Sequence, residues 1–336
     1  MHNNLFPNLD FSAAIDYLQA SENIVITAHI NPDGDAIGSS LSLYYALKDM
    51  GKKVEVIINE SKCPAVYSFL SRSKKIKKYN PVVHNSMIYS ADVIIVVDVG
   101  NLSRVKIMED VIRQSPAKKI LIDHHIDPDN FANYTLSDTT AIATGEIVFA
   151  LLELAKIKIT KEIADALYCA IYTDSGGFRF SNTTPRTHII TAALLEAGTL
   201  PSEIYEKIYN TNPLPRMQLQ GLAMTSMQSY LDDQLTFIFI TKEMFRITHT
   251  TNEDTENISQ IPLSVAGTKV GILVIEYDEK TELRVSLRSK GNIDVQQIAL
   301  KFGGGGHLNA AGCRMQNINI EDAKQILLDE VKKIIQ

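Results

Sequence analysis

Three short apolar runs rich in β-branched residues stop abruptly at acid or imidazole. Asn23 to Ala28 (NIVITA) leads into His29-Ile30-Asn31-Pro32-Asp33-Gly34-Asp35-Ala36-Ile37-Gly38-Ser39, Val93 to Val97 (VIIVV) into Asp98, and Lys119 to Ile122 (KILI) into Asp123-His124-His125. With Lys53 to Asn59 (KVEVIIN) they read as strands buried on both faces, as in a parallel sheet. Ligands of an open α/β sheet sit beyond the carboxyl ends of its strands, so the three polar groups are expected to meet in one crevice. Each acid also has an ordinary reading as a loop or N-cap residue, a respectable one for Asp35 ahead of a helix. Taken together they favour a shared site.

Helical periodicity fills the spaces between and after these runs, at 36–50, 144–155, 161–173, 185–197 and 202–209. Two prolines in Asn210 to Pro215 (NTNPLP) break the pattern, and Arg216 to Leu231 reads as a connecting helix. Beyond it, strands are expected at 234–240, 270–277 and 282–288 and helices at 295–302 and 321–335. The fold class is therefore α/β: a mostly parallel sheet flanked by helices over 1–212, a linker helix over 213–232, and a smaller mixed α+β domain over 233–336. The active site is expected in the cleft between the two domains. A length of 336 residues suits two domains with separate cores.

Charge and cysteine usage narrow the function classes. Against 33 basic residues stand 39 acidic ones, a formal charge of −6, which disfavours a long nucleic acid as main partner because counterion release needs many clustered cations. Cys63, Cys169 and Cys313 lack metal-ligand or disulfide spacing, which fits a reducing cytoplasm. No apolar run approaches the ~20 residues of a membrane helix, and the first residues do not resemble a secretory leader. The basic run Arg72 to Lys78 (RSKKIKK) reads as a solvated face.

His, Asp and Asp beside a second Asp and His group is ligand chemistry for divalent ions that accept mixed nitrogen and oxygen donors. Two such ions sharing a carboxylate can clamp an in-line phosphoryl displacement, with water as nucleophile. No Ser or Cys stands beside the histidines as an alternative nucleophile, and no GxxxxGKS loop is present. Asp174, before Gly176-Gly177, suits a further ligand or an ordinary helix-ending turn. In the second domain, Gly303 to Gly306 ahead of His307 can wrap an anion or form a surface turn, and Arg288 offers a bidentate fork for phosphate. Arg104, six residues after Asp98, suits the crevice about as well as a surface salt bridge.

The chain resembles the DHH phosphoesterase superfamily, whose defining triplet here is Asp123-His124-His125. The resemblance runs through HINPDGDAIGS (29–39), DVGNLSR (98–104), IDHH (122–125), YTDSGGFRFSNTTP (172–185), and RSKG with FGGGGHLNAAG (288–312), in the family's order. The last pair resembles the DHH-associated domain of RecJ-like nucleases and of the nanoRNase type, which is a bifunctional oligoribonuclease and 3′-phosphoadenosine 5′-phosphate (pAp) phosphatase. Carried onto this sequence, the resemblance implies one ion on His29, Asp33 and Asp98 and another on Asp35, Asp98, His124 and Asp174. Asp98 bridges them, and manganese is the metal commonly used. It further implies that His125 lies near the scissile phosphate and that Asp123 orients the neighbouring histidine. Arg288, Ser289, Gly304, Gly305, Gly306 and His307, with Arg104, are expected to contact substrate. Ser175 stands where relatives often carry threonine, a change that leaves the ligand set intact.

The expected function is a cytoplasmic dimetal phosphoesterase that degrades short RNA oligonucleotides to mononucleotides and removes the 3′-phosphate of pAp, with a homodimer as the candidate assembly and no membrane partner. A linear or cyclic dinucleotide phosphodiesterase uses the same constellation. A pyrophosphatase shares only the first-domain motifs. A non-catalytic nucleotide- or RNA-binding module has no need of six intact ligands.

Overall fold

The computed structural model describes residues 5–59, 63–126, 128–255, 257–277 and 282–335. It divides into two compact units, 1–211 and 212–336. The first is built on a six-stranded sheet of β1 (Asn23–Ala28), β2 (Lys53–Ile58), β3 (Ile76–Lys78), β4 (Val93–Val97), β5 (Lys118–Asp123) and β6 (Tyr134–Ser137). The spatial order is β3-β2-β1-β4-β5-β6, and every pairing is parallel. Side chains alternate between two buried faces: Ile24, Ile26, Val93, Ile95, Val97, Ile120 and Ile122 enter one core cluster, while Val25, Ile94, Val96 and Leu121 enter the other. That alternation is why these runs are apolar throughout.

The order reverses between β1 and β4, which lie side by side with Ala28 opposite Val97. A parallel sheet opens a crevice at such a switch point, beyond the carboxyl ends of the strands. The next residues along the two strands, His29 and Asp98, stand at its mouth.

Eight helices of this unit are α1 (Ser12–Ala20), α2 (Gly34–Asp49), α3 (Pro81–Tyr89), α4 (Glu109–Gln114), α5 (Thr144–Leu154), α6 (Lys161–Asp174), α7 (Pro185–Glu196) and α8 (Pro201–Tyr209). The close approach of α2 to α6 requires small residues: a Cβ at Gly38 would stand 2.3 Å from the carbonyl oxygen of Ala166. Through this packing the start of α2, with Asp35, comes beside the end of α6, with Asp174.

The second unit holds a mixed sheet in the order β11-β12-β10-β9-β8-β7, formed by β7 (Gln228–Tyr230), β8 (Leu235–Ile240), β9 (Val270–Glu276), β10 (Glu282–Ser289), β11 (Gly305–His307) and β12 (Ala310–Gln316). Only β8 and β9 pair in parallel. Its helices are α9 (Leu214–Thr225), α10 (Lys242–Thr248), α11 (Gln296–Lys301) and α12 (Ile320–Lys332).

Two sequence readings change here. The segment 213–232, expected as a linker helix, is helical only over α9, then turns into β7. Leu219 and Ala223 of α9 pack with Ile238, Ile240, Leu273 and Ile275, so α9 is part of the second unit's core rather than a connector. The basic run 72–78 is a solvated face as expected, with Arg72, Lys74, Lys75 and Lys78 exposed, and it contains the edge strand β3, whose Ile76 is buried while Lys77 pairs with Glu55 at 2.7 Å; lysines on an edge discourage further strand addition. The glycine run is not an open loop throughout, because Gly305–His307 pairs with β12. A Cβ at Gly304 would stand 2.1 Å from the carbonyl of Gly312, and one at Gly306 2.4 Å from that of Ala310, so crossing backbones already account for two of the glycines.

Candidate metal centre

β1 delivers His29 and β4 delivers Asp98, whose backbone adopts φ +56°, a left-handed conformation that aspartate tolerates better than most residues. The amide of Asp98 donates to Ile122 O at 3.0 Å, which ties the strand end to β5 and its Asp123-His124-His125. Asp33 caps α2: its Oδ1 accepts from the amides of Asp35 and Ala36, leaving Oδ2 turned towards His29. Asp35 sits in the first turn of α2 and Asp174 in the last turn of α6.

These side chains form two groups with Asp98 between them. His29 Nε2 lies 3.4 Å from Asp98 Oδ2 and 3.7 Å from Asp33 Oδ2. On the other side His124 Nε2 lies 3.6 Å from Asp98 Oδ1, 3.8 Å from Asp35 Oδ2 and 3.4 Å from Asp174 Oδ2. Such distances exceed ordinary N–H···O bonds of about 2.7–3.2 Å. Donor atoms about 2.1 Å from a shared divalent ion stand roughly 3.0–4.2 Å apart according to the angle between them, so the spacing suits ligands around an ion. His29 supplies the fit test, since its Nε2 is buried, aimed at two carboxylates, and has no hydrogen-bond partner. A buried ring nitrogen left in that state is costly unless something else satisfies it. The donor set of imidazole and carboxylate suits divalent ions.

Surrounding groups fix the orientation of each ligand. His29 Nδ1 is 2.7 Å from Ile30 O and His124 Nδ1 is 3.3 Å from Ala141 O, which turns Nε2 of each ring to the centre. Asp35, fully buried, accepts from the amides of Thr144 (2.6 Å) and Gly145 (2.9 Å) and from Ser39 Oγ (3.0 Å). Thr144 Oγ1 reaches Asp98 Oδ1 at 3.3 Å. Asp123 binds His125 Nδ1 at 2.8 Å and accepts the Gly100 amide at 3.1 Å, while His125 Nε2 meets Arg104 Nη1 at 3.3 Å. Arg104 therefore faces the site beside His125 rather than forming a surface ion pair.

The electrostatics are those of crowded acids. Burial raises the Asp174 carboxyl to about 8, reinforced by Asp33 and Asp98, and burial with the charges of Asp98 and Asp174 holds Asp35 well above the carboxylate range. Burial alone would lower the His29 imidazole, but the carboxylates of Asp33 and Asp98 outweigh it and raise it to about 10. His125 is raised, chiefly by its hydrogen bond to Asp123.

The expected substrate residues of the second unit share part of one sheet. Arg288 is half-buried at the end of β10; its Nη1 donates to Leu287 O, and its Nε is buried without a partner. His307 is exposed on β11. Ser289 is buried; its hydroxyl donates to Ile293 O at 2.6 Å and accepts from Asn309 Nδ2 at 2.9 Å, so it fastens the turn after β10. The sequence reading missed the Thr144 and Gly145 amides and the Ala141 carbonyl, because backbone groups carry no side-chain signature.

The DHH family, N-terminal domain model matches residues 23–171, and the DHHA1 domain model matches 240–336. The bifunctional oligoribonuclease and PAP phosphatase NrnA of Thermus thermophilus is 30% identical, with 95% of this chain and 92% of that protein covered. The protein of the same name from Bacillus subtilis is 26% identical over 92% of this chain and 93% of that one. Among solved structures, an exopolyphosphatase-related protein from Bacteroides fragilis superposes with a TM-score of 0.86 at 33% identity, covering 96% of this chain and 95% of that one. Exonuclease RecJ bound to manganese shares the fold, with a TM-score of 0.51 at 14% identity and coverage of 93% and 91%.

Proposed function

The chain belongs to the DHH family, and on that premise we propose that it hydrolyses short RNA oligonucleotides to mononucleotides and removes the 3′-phosphate of pAp. The observation that carries the reading is the pair of ligand groups sharing Asp98, in a chain similar over nearly its full length to proteins named for those two activities.

His29, Asp33 and Asp98 would hold one divalent ion, and Asp35, Asp98, His124 and Asp174 the other. When bound, such ions supply Lewis acidity towards the phosphoryl oxygens and the attacking water. The chain's own groups do the rest. Asp98 keeps the two ligand groups in register, because Oδ1 faces one and Oδ2 the other. Arg104 Nη1 lies against His125 Nε2, so both side chains face one region, where the guanidinium suits a phosphate oxygen. Asp123 holds Nδ1 and favours the charged ring, which could pass its Nε2 proton to the leaving oxygen once Nε2 parts from Arg104. Arg288, His307 and the glycine strand of the second unit would bind the substrate's remaining phosphate, sugar or base. Manganese as the metal, a cytoplasmic location and a homodimer belong to the same proposal. Among the described residues no helix is long and apolar enough to cross a membrane.

The test is incubation with Mn2+ and a panel of pAp, RNA dinucleotides, cyclic dinucleotides and pyrophosphate. Mononucleotides from the dinucleotides and phosphate from pAp are expected. Turnover of pyrophosphate alone, or of nothing, would overturn the reading.

A further inference from the structure

The amino end of α5 has no cap of its own. Ala143 occupies the N-cap position without a side-chain acceptor, and the amides of Thr144 and Gly145 are satisfied by Asp35, more than a hundred residues away in sequence. The helix terminus, where amides and dipole favour an anion, thus orients a buried carboxylate. The same loop reaches the centre twice more, through Ala141 O to His124 and Thr144 Oγ1 to Asp98. Whatever fixes residues 138–146 therefore bears on Asp35 and His124 of the second ligand group.

One guanidinium fastens that loop. Arg186, in the first turn of α7, donates from Nε to Glu146 Oε2 at 3.1 Å and from Nη2 to Thr140 Oγ1 at 3.2 Å, and its Nη1 lies 3.8 Å from Asp138 Oδ2. Its plane also sits 4.0 Å from the ring centroid of Phe6. Glu146 is fully buried, and its Oε2 lies 3.4 Å from the amide of Ile142. Asp138 Oδ1 in turn accepts from the amide and hydroxyl of Thr140. Both ends of the loop are therefore held by one planar fork, a geometry that lysine cannot reproduce. The polar partners of Arg186 all lie outside the ligand set, so its influence on the centre runs through the loop.

From this arrangement we infer that Arg186, with Glu146, is a positioning pair that sets the affinity of the ion site formed by Asp35, His124 and Asp174 while leaving that of His29 and Asp33 largely alone. The inference rests on the two-ion reading of the centre. Asp33 is oriented by α2 and His29 by Ile30, neither of which belongs to the loop, which reaches that site only through Thr144 Oγ1 on the far oxygen, Oδ1, of the shared Asp98.

The experiment is calorimetric titration of the metal-free, full-length protein with Mn2+, for wild type, Arg186→Lys, and the double variant Glu146→Met with Arg186→Met. The double change removes both charges together, avoiding the unpaired buried carboxylate that Arg186→Met alone would leave. Wild type is expected to show two sites. In the double variant one site should weaken by about tenfold, the low end of the range for losing a direct partner of a metal ligand because the pair acts through the loop, with the other site and the metal-free melting temperature near wild type. Arg186→Lys should fall between. Wild-type affinities at both sites of the double variant, or equal weakening of both, would overturn the inference. A single site in the wild type would overturn the two-ion reading itself, so the two failures can be told apart.

Discussion

The Nε2 of His29 faces Asp98 Oδ2 across 3.4 Å with both side chains buried and no hydrogen bond at that nitrogen. Without cations, protons must relieve the crowding, and they leave a signature in stability. His29 is raised from 6.5 to about 10 by Asp33 and Asp98, against the opposing effect of burial. A group raised in the folded state contributes stability fully below its unfolded value, and that contribution is lost as pH climbs through the folded one. Asp174, raised by burial and neighbouring carboxylates from 3.8 to about 8, has the same sign. The metal-free melting temperature is therefore expected to fall from pH 6.5 to 10. Calorimetry near pH 7 in buffers of different ionisation enthalpy should show protons released on Mn2+ binding. A flat or rising metal-free profile contradicts this assignment.

Asp123 holds His125 Nδ1 at 2.8 Å, which turns Nε2 towards Arg104 and favours the protonated ring. Asp123→Asn should therefore lower kcat by about 100-fold, within the range for a positioned acid–base group, with little change in KM. The pH–rate profile should move to lower pH as His125 loses the carboxylate that raises it. An unchanged profile removes the pair from proton transfer.

Arg288 carries a buried Nε without a partner, consistent with a fork held ready for an anion. Arg288→Ala should raise KM for dinucleotides about tenfold, roughly 1.4 kcal/mol, while kcat holds, the pattern of lost uniform binding. Steady-state kinetics with RNA dinucleotides decide it, and unchanged values take Arg288 out of the site.

Gly38 lets α2 pass α6 closely enough to bring Asp35 beside Asp174. Gly38→Ala places a methyl 2.3 Å from Ala166 O, and overpacking of this kind costs about 1–3 kcal/mol. Thermal unfolding should show a lower melting temperature despite alanine's better helix propensity. An equal or higher one would mean that the helices have room to separate.

The ligand-bearing strand ends were legible because each element is local and strongly patterned. VIIVV is buried at every position, and the polar Asp98 comes directly after it. Of the elements that escaped, β3 is IKK, β7 is QSY and β11 is GGH, too few apolar positions to show a period of two, and α1, α3, α4, α10, β6 and β12 also went unread. α9 read as a connector because prolines precede it, although Leu219 and Ala223 enter a core formed by strands later in the chain. Only the folded turn shows the Ser289 hydroxyl engaged by Ile293 and Asn309. The clamp on Asp35 is made of amides, which any residue but proline supplies, so no sequence pattern announces it.

The central claim is that two ligand groups sharing Asp98 carry out phosphoester hydrolysis. Its most direct test is Mn2+-dependent release of mononucleotides from an RNA dinucleotide by wild type and by Asp98→Ala, with the fold of the variant checked by circular dichroism. The expected result is robust turnover by wild type and none above background by the folded variant. Near-normal Mn2+-dependent hydrolysis by Asp98→Ala would contradict it.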